Sequence, residues 1–466
     1  MSQKLGKDLT TGSIPKHLLF ISIPMLIGNF LQVAYNLVDA MWVGNKVGED
    51  ALGAVGVSFP IFFILIGIAS GATIATTILV SQYYGAKDYE NVERVVNTSF
   101  SITIIFSLIL SVLGIIFSDN LLRLMNTPNE IFDFASSYLK IMMAGFTFTF
   151  ISFLVTSILR GIGDTVTPLI FMALGAVINI VLDPLLIMGV GPFPQLGLNG
   201  AAYASLISTI IGCLTGIIYL NSRNHLVSFN IRNLRLDKHI ALLILKIGLP
   251  SATQQTLVSL GMFVITAFVN VFGKSATTAF AAVGRIDSIA FMPAMSMSMA
   301  VSTLTGQNLG AGKPERIKDV FKSGTVMTCI ITITISLVAV AIPGFILNMF
   351  GIGNSGTEVV EIGTSYLRIV GSSYILFAIM FISNGVINGA GHTMTTMMIS
   401  LVSLWVIRVP LAWIMSRTNL GLTGVWISMP ISFALALAIS LSYYYSGKWK
   451  KTIIRTNAPE PIIDPD

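Results

Sequence analysis

Two carboxylates stand where carboxylates are costly. Asp39 closes the run Gln32-Val33-Ala34-Tyr35-Asn36-Leu37-Val38-Asp39, and Asp183 closes Asn179-Ile180-Val181-Leu182-Asp183 just before Pro184. Both lie in segments apolar and long enough to cross hydrocarbon. An ionised side chain at the bilayer centre costs at least ~2.5 kcal/mol, so such residues usually face a polar cavity and carry function. Tyr35 and Asp39 are four apart, as are Asn179 and Asp183, so each pair shares a helix face. Gln32 continues the Tyr35 stripe, with Asn36 beside it. Two chemistries suit such a set. One carboxylate can take up and release a proton, or both, with the Asn179 amide oxygen, can hold a desolvated monovalent cation such as Na+. The plainer alternative is hydrogen bonding that supports the fold.

The elements that must position these acids are helices in a membrane. Of 466 residues, 54% are apolar and only 10% are charged, and the mean hydropathy is +0.82. A soluble domain carries roughly a quarter charged residues. The formal charge of +6 does not point to nucleic acid, because Lys and Arg cluster at particular loops and no basic stripe with interleaved aromatics occurs. Cys213 and Cys329 both fall inside apolar runs, away from any metal-ligand spacing, and are not expected to form a disulfide. Met1 to Lys16 is short and polar, without a small-residue cleavage site after the first apolar run, so that run is expected to be retained.

Hydropathy and turn residues predict twelve transmembrane spans, near 18–43, 51–79, 92–117, 131–159, 165–189, 197–220, 240–272, 276–304, 317–347, 358–388, 393–416 and 421–446. One set of gaps carries most of the positive charge, as in Lys87 and Arg94, Arg232 and Arg235, or Lys313, Arg316 and Lys318; the opposite gaps hold only Lys46, Arg123, Lys274 and Arg417. Positive loops stay in the cytoplasm, which places both termini there in a multi-pass protein of the cell membrane.

The chain also repeats itself. Ser137-Tyr138-Leu139-Lys140-Ile141 recurs as Ser365-Tyr366-Leu367-Arg368-Ile369, and Gly161-Ile162-Gly163-Asp164-Thr165 as Gly389-Ala390-Gly391-His392-Thr393. Gln82, Gly85 and Ala86 match Gln307, Gly310 and Ala311. The expected organisation is an all-α integral membrane protein of two parallel six-helix repeats: a first lobe at 1–220, a cytoplasmic linker at 221–239, a second lobe at 240–447 and a tail at 448–466. Parallel repeats of this kind transport by rocking about a midplane site. The second copy is an internal control on the acids. Aligning Pro24 with Pro250 puts Ile265 opposite Asp39, and aligning Pro184 with Pro410 puts Val409 opposite Asp183 and Trp405 opposite Asn179. The ion chemistry therefore belongs to the first lobe.

Weaker signals concern substrate. Arg285 and Asp287, near the start of predicted span 8, are candidate cavity-lining residues, as are Gln32, Asn36 and Met292. An interface position for the charged pair and ordinary packing for the methionine-rich span 8 are the bland alternatives. Lys140 and Arg368 read as snorkelling side chains. Gly161-Ile162-Gly163-Asp164 matches the Gly-x-Gly-Asp motif of intramembrane proteases, but Asp164 falls at a predicted loop, where it can cap the next helix.

With the repeat and the acids in hand, the sequence resembles the multidrug and toxic compound extrusion (MATE) family across all twelve spans. The resemblance rests on Pro24 with Tyr35-Asn36-Leu37-Val38-Asp39 and Trp42-Val43-Gly44, on Arg160-Gly161-Ile162-Gly163-Asp164-Thr165 with Pro168, and on Gly306-Gln307-Asn308-Leu309-Gly310-Ala311-Gly312. It implies two lobes in a V and antiport of small organic cations against protons or sodium, with no cofactor and no enzymatic activity. It also implies that Tyr35, Asp39, Asn179 and Asp183 form the ion site, with Na+ a candidate at Asp39, Asn179 and Asp183. One branch of the family uses a Glu in span 7, where this chain has Val258; others add a span 6 hydroxyl, near which this chain has Ala201, Ala202 and Tyr203. The protein is expected to work as a monomer in the lipid bilayer. The rival reading, a flippase for lipid-linked sugars or oligosaccharides, would require cationic cavities rather than acids.

Overall fold

The computed structural model describes residues 6–223, 235–349 and 356–454. Most of the linker expected at 221–239 and the tail beyond residue 454 lie outside the described residues. The described chain is helical, with no strand. Eleven helices are long and apolar enough to cross a membrane, and a twelfth span is a bent pair.

The first six helices are α1 (Ile14–Lys46), α2 (Glu49–Gly85), α3 (Tyr89–Leu124), α4 (Asn129–Gly161), α5 (Val166–Met188) and α6 (Leu198–Arg223). The second copy opens with α7 (Lys238–Asn270), α8 (Lys274–Gly310) and α9 (Arg316–Ala341). It departs from the sequence expectation in three places. Predicted span 9 stops at Ala341, and Pro343, a residue that starts helices well and continues them badly, opens the short α10 (Pro343–Met349). Predicted span 10 is two helices, α11 (Thr357–Gly371) and α12 (Tyr374–Gly389), bent by 46°. The Ser373 N–H and side chain both bond back to the Val370 carbonyl there, closing one helix tightly before the next begins. Predicted span 11 is α13 (Thr393–Ser400), a π-helical stretch Leu401–Arg408, and α14 (Val409–Ser416). The last span, α15 (Gly421–Tyr445), is unbroken.

The repeated loops repeat in backbone geometry. After α4, Asp164 N–H bonds to Leu159 O at 2.8 Å and Gly163 adopts φ +83; after α12, His392 N–H bonds to Ile387 O at 3.0 Å and Gly391 adopts φ +88. A helix ending on a left-handed residue needs glycine there, which explains why both copies carry it. Asp164 Oδ1 accepts the Thr167 N–H at 3.0 Å, so this aspartate caps α5.

Packing divides the chain differently from the repeat. One compact unit holds Ile23–Leu249 with the described residues before Leu9, and the other holds Leu9–Ser22 with the chain from Pro250 onward. The two switches that fall inside helices lie beside repeat-equivalent prolines, Pro24 of α1 and Pro250 of α7. Within the second unit, the opening segment is held by polar contacts at the end of α8 and the start of α9. Leu9 N–H bonds to Gln307 Oε1 at 3.1 Å, Asn308 Nδ2 to Leu9 O at 3.3 Å, and Arg316 to Gly12 O at 3.0 Å.

Lipid gives helices no hydrophobic reason to associate, so close packing at small residues must do it. In the first unit a Cβ on Gly200 of α6 would lie 2.5 Å from Leu186 O of α5. In the second, a Cβ on Gly389 of α12 would lie 2.3 Å from Ser302 O of α8, whereas one on Gly284 meets nothing within 4 Å. Overpacking costs about 1–3 kcal/mol. Gly389→Ala is therefore expected to lower the thermal midpoint of the purified protein, and Gly284→Ala to leave it unchanged. Equal midpoints for the two variants would remove close α8–α12 contact from the account of stability.

Candidate functional site

The first unit brings the predicted acids together. Gly28 of α1 lets that helix approach Met172 and Leu169 of α5, at 3.5 and 3.8 Å from where a Cβ would stand. Further along, Asp39 and Asp183 are close enough to interact electrostatically. Asn179 and Asp183 are wholly buried, while Tyr35 and Asp39 are partly so.

The link between the helices is a residue the sequence reading passed over. Ser205 of α6 lies 2.9 Å from the Tyr35 hydroxyl. The Asn179 amide satisfies its surroundings in one orientation, with its nitrogen donating to Asp183 Oδ2 at 3.0 Å and its oxygen accepting from Ser205 N and Oγ at 3.2 and 3.3 Å. A continuous polar chain then runs from Tyr35 through Ser205 and Asn179 to Asp183. The span 6 hydroxyl sought at 201–203 is thus present one helical turn further on. Tyr138 of α4, buried, also lies within electrostatic reach of Asp39, Tyr35 and Asp183. Its repeat partner Tyr366 was the signal that could have found it.

What this arrangement leaves open is specific. Asp39 Oδ1 and Asp183 Oδ1 are both buried and have no hydrogen-bond partner. A buried carboxylate oxygen without a donor is costly, and a proton or a small cation removes that cost. The Asn179 oxygen is already used by Ser205, so Asn179 stands as a donor that positions Asp183 rather than as a third oxygen ligand. Among the described residues no three His, Cys, Asp or Glu side chains cluster as a metal site.

Other candidates separate from this cluster. Gln32 and Asn36 bond to each other at 3.3 Å on the exposed face of α1. Arg285 is exposed. Asp287 lies well inside α8 rather than near its start and accepts hydrogen bonds from the Tyr366 and Tyr374 hydroxyls. Met292 is half-buried. Lys140 is not simply snorkelling, since its Nζ pairs with Asp119 Oδ2 at 2.9 Å and Ser136 donates to the same carboxylate at 2.5 Å. Cys213 and Cys329 are both free.

The MatE family model matches residues 24–185 and 250–414, two blocks that open on the paired prolines Pro24 and Pro250. The chain belongs to the MATE family of transporters. A probable multidrug resistance protein, YoeA of Bacillus subtilis (strain 168), is 35% identical over 459 residues, 98% of each chain. Two solved structures each superpose with a TM-score of 0.88 at 27% identity, covering 97% of this chain and 100% of theirs. One is the outward-facing conformation of a multidrug resistance MATE family transporter of the MOP superfamily. The other is a MOP superfamily transporter from Pyrococcus furiosus in which a reversed binding-pocket polarity suggests a different function. This MATE protein is accordingly a multi-pass membrane transporter and not an enzyme.

Ser205 is the point at which the site can be tested without touching a charge. Ser205→Ala leaves Tyr35 and Asn179 without their shared hydroxyl, at about 1–3 kcal/mol for each buried group left unsatisfied. The expected result is a several-fold slower efflux, restored in part by Ser205→Thr, in everted vesicles carrying equal amounts of protein. Wild-type rates for Ser205→Ala would exclude the serine from the site.

Proposed function

We propose that this transporter exports small organic cations in exchange for protons or sodium ions, by alternating access, with Asp39 and Asp183 as the coupling acids and Tyr35 and Asn179 as their supports. The observation that carries the reading is the pair of buried, unpartnered carboxylate oxygens on two helices of one unit. Both the coupling ion and a cationic substrate are attracted to the same fixed negative charge, so loading one disfavours the other. A proton needs a single carboxylate oxygen. Sodium would need further oxygens, and the Asn179 amide would have to turn to supply one. The reading places the protein in the cell membrane as a monomer, with both termini in the cytoplasm. The relative YoeA, a probable multidrug resistance protein, supports organic compounds as the cargo.

Reconstitution in proteoliposomes, with proton and sodium gradients imposed separately, tests the coupling. Efflux of a lipophilic cationic dye is expected to follow one gradient and to be lost in Asp39→Asn and in Asp183→Asn, while both variants insert and melt like the parent. A properly inserted variant with parental efflux would take that acid out of the mechanism. Export restricted to an anionic dye would instead favour lipid-linked sugar translocation.

A further inference from the structure

Equivalent cations in the two copies meet different surroundings. In the first unit Lys140 of α4 is paired, its Nζ 2.9 Å from Asp119 Oδ2, and Ser136, one turn earlier, donates to the same carboxylate. Its counterpart in the second unit is Arg368 of α11. Ion pairs among the described residues join Arg94 to Glu90 and Lys140 to Asp119, and Arg368 enters none. The short α10 turns a leucine rather than an acid toward α11, since a Cβ on Gly363 would stand 3.0 Å from Leu347 Cδ2.

The face of α11 that carries Arg368 is open. Arg368 and Glu361 are both exposed. With Val360, Thr364, Ser365 and Ile369 they line a cavity of about 450 Å³. Glu361 and Arg368 are seven residues apart, two turns of helix, so they share a face with Thr364 and Ser365 between them. Their roots are ~10 Å apart along the axis, too far for a direct ion pair. A long helical side chain runs back toward the helix N-terminus, which carries the guanidinium over the Thr364–Ser365 turn. Most buried hydroxyls in this molecule bond to their own helix, as Ser58 does. The hydroxyls of Thr364 and Ser365 make no hydrogen bond among the described residues, and neither does either charged group.

Four unpartnered polar side chains thus line one cavity on a helix that crosses the membrane as part of a bent span. An arginine rooted three turns along such a helix extends its charge to the phosphate layer. A bare phosphate there would satisfy Arg368 but stand close to the Glu361 carboxylate. A headgroup that carries an ammonium two carbons from its phosphate matches both charges. A primary ammonium also offers N–H donors to Glu361, which the quaternary nitrogen of choline lacks.

We infer that this groove binds the headgroup of phosphatidylethanolamine, with the phosphate on Arg368 and the two hydroxyls and the ammonium on Glu361. The inference needs only the membrane location of the chain and is independent of the cargo. The competing account is that Arg368 snorkels to any phosphate, which would favour anionic phosphatidylglycerol and be indifferent to Glu361.

Native mass spectrometry of the detergent-purified full chain, titrated with dioleoyl phosphatidylethanolamine, phosphatidylcholine or phosphatidylglycerol, separates the two. Wild-type protein is expected to retain the ethanolamine lipid at least fivefold more tightly than either of the others. Arg368→Gln should weaken that retention at least fivefold, and Glu361→Gln should bring it to within twofold of phosphatidylglycerol. Lys274→Gln, which removes another exposed cation of the same unit, should change nothing. Because both groove side chains are exposed, the variants are expected to melt like the parent. Wild-type protein that holds either other lipid as tightly would overturn the inference. So would parental retention in Arg368→Gln or in Glu361→Gln, or an equal loss in Lys274→Gln.

Discussion

Hydrocarbon offers no hydrogen bonds, and nearly every feature of this molecule answers to that constraint. Backbone groups are satisfied inside helices. Buried serines and threonines mostly turn back onto their own helix, as Ser58 does to Ala54 O and Thr328 to Gly324 O. Against that background Asp39 Oδ1 and Asp183 Oδ1 are the carboxylate oxygens that lie buried without a partner among the described residues, and an unpaired carboxylate is costlier to bury than an unpaired hydroxyl. The chain from Tyr35 through Ser205 and Asn179 fixes one side of the Asp183 carboxylate. The other oxygen, Oδ1, has no hydrogen-bond partner among the described residues.

The two copies have diverged around a shared scaffold. The turns after α4 and α12 match in hydrogen bonding and in φ, and of two equivalent tyrosines, Tyr138 lies within electrostatic reach of Asp39 and Asp183 while Tyr366 donates to Asp287. Those acids come from different helices, α1 and α5 in the first copy and α8 in the second, and only the second copy adds an arginine, Arg408, within electrostatic reach of its acid. One unit thus concentrates negative charge, while the other holds a carboxylate already bound by its own tyrosines and balanced by a cation. Duplication supplied the frame, and the signs of a few charges made the halves unequal.

Hydropathy made the spans legible, because a helix in lipid must be apolar along its whole crossing. The acids were legible for the same reason, and the repeat showed which copy held them. What escaped the sequence was anything set by the rotation of one helix against another. Ser205 lies in an ordinary polar-apolar alternation, and only the packing of α6 against α5 turns it toward Asn179. Asp287 gains its partners from residues 79 and 87 positions away. The break at Gly371–Tyr374 and the π-helical stretch at 401–408 interrupt runs that look continuous, since a local change in hydrogen-bond register need not change composition.

The exchange of opening segments at Pro24 and Pro250 bears on how the protein is made. Leu9 leaves the ribosome early, yet its partners Gln307 and Asn308 lie 298 and 299 residues downstream. At about 5–20 residues per second, the first turns of α1 wait roughly 15–60 s for the surface that receives them. During that interval the earlier half of the chain is already in the bilayer with its leading segment undocked. The first six spans therefore cannot mature as a self-contained module, because the residues that emerge first dock only once α8 has been made.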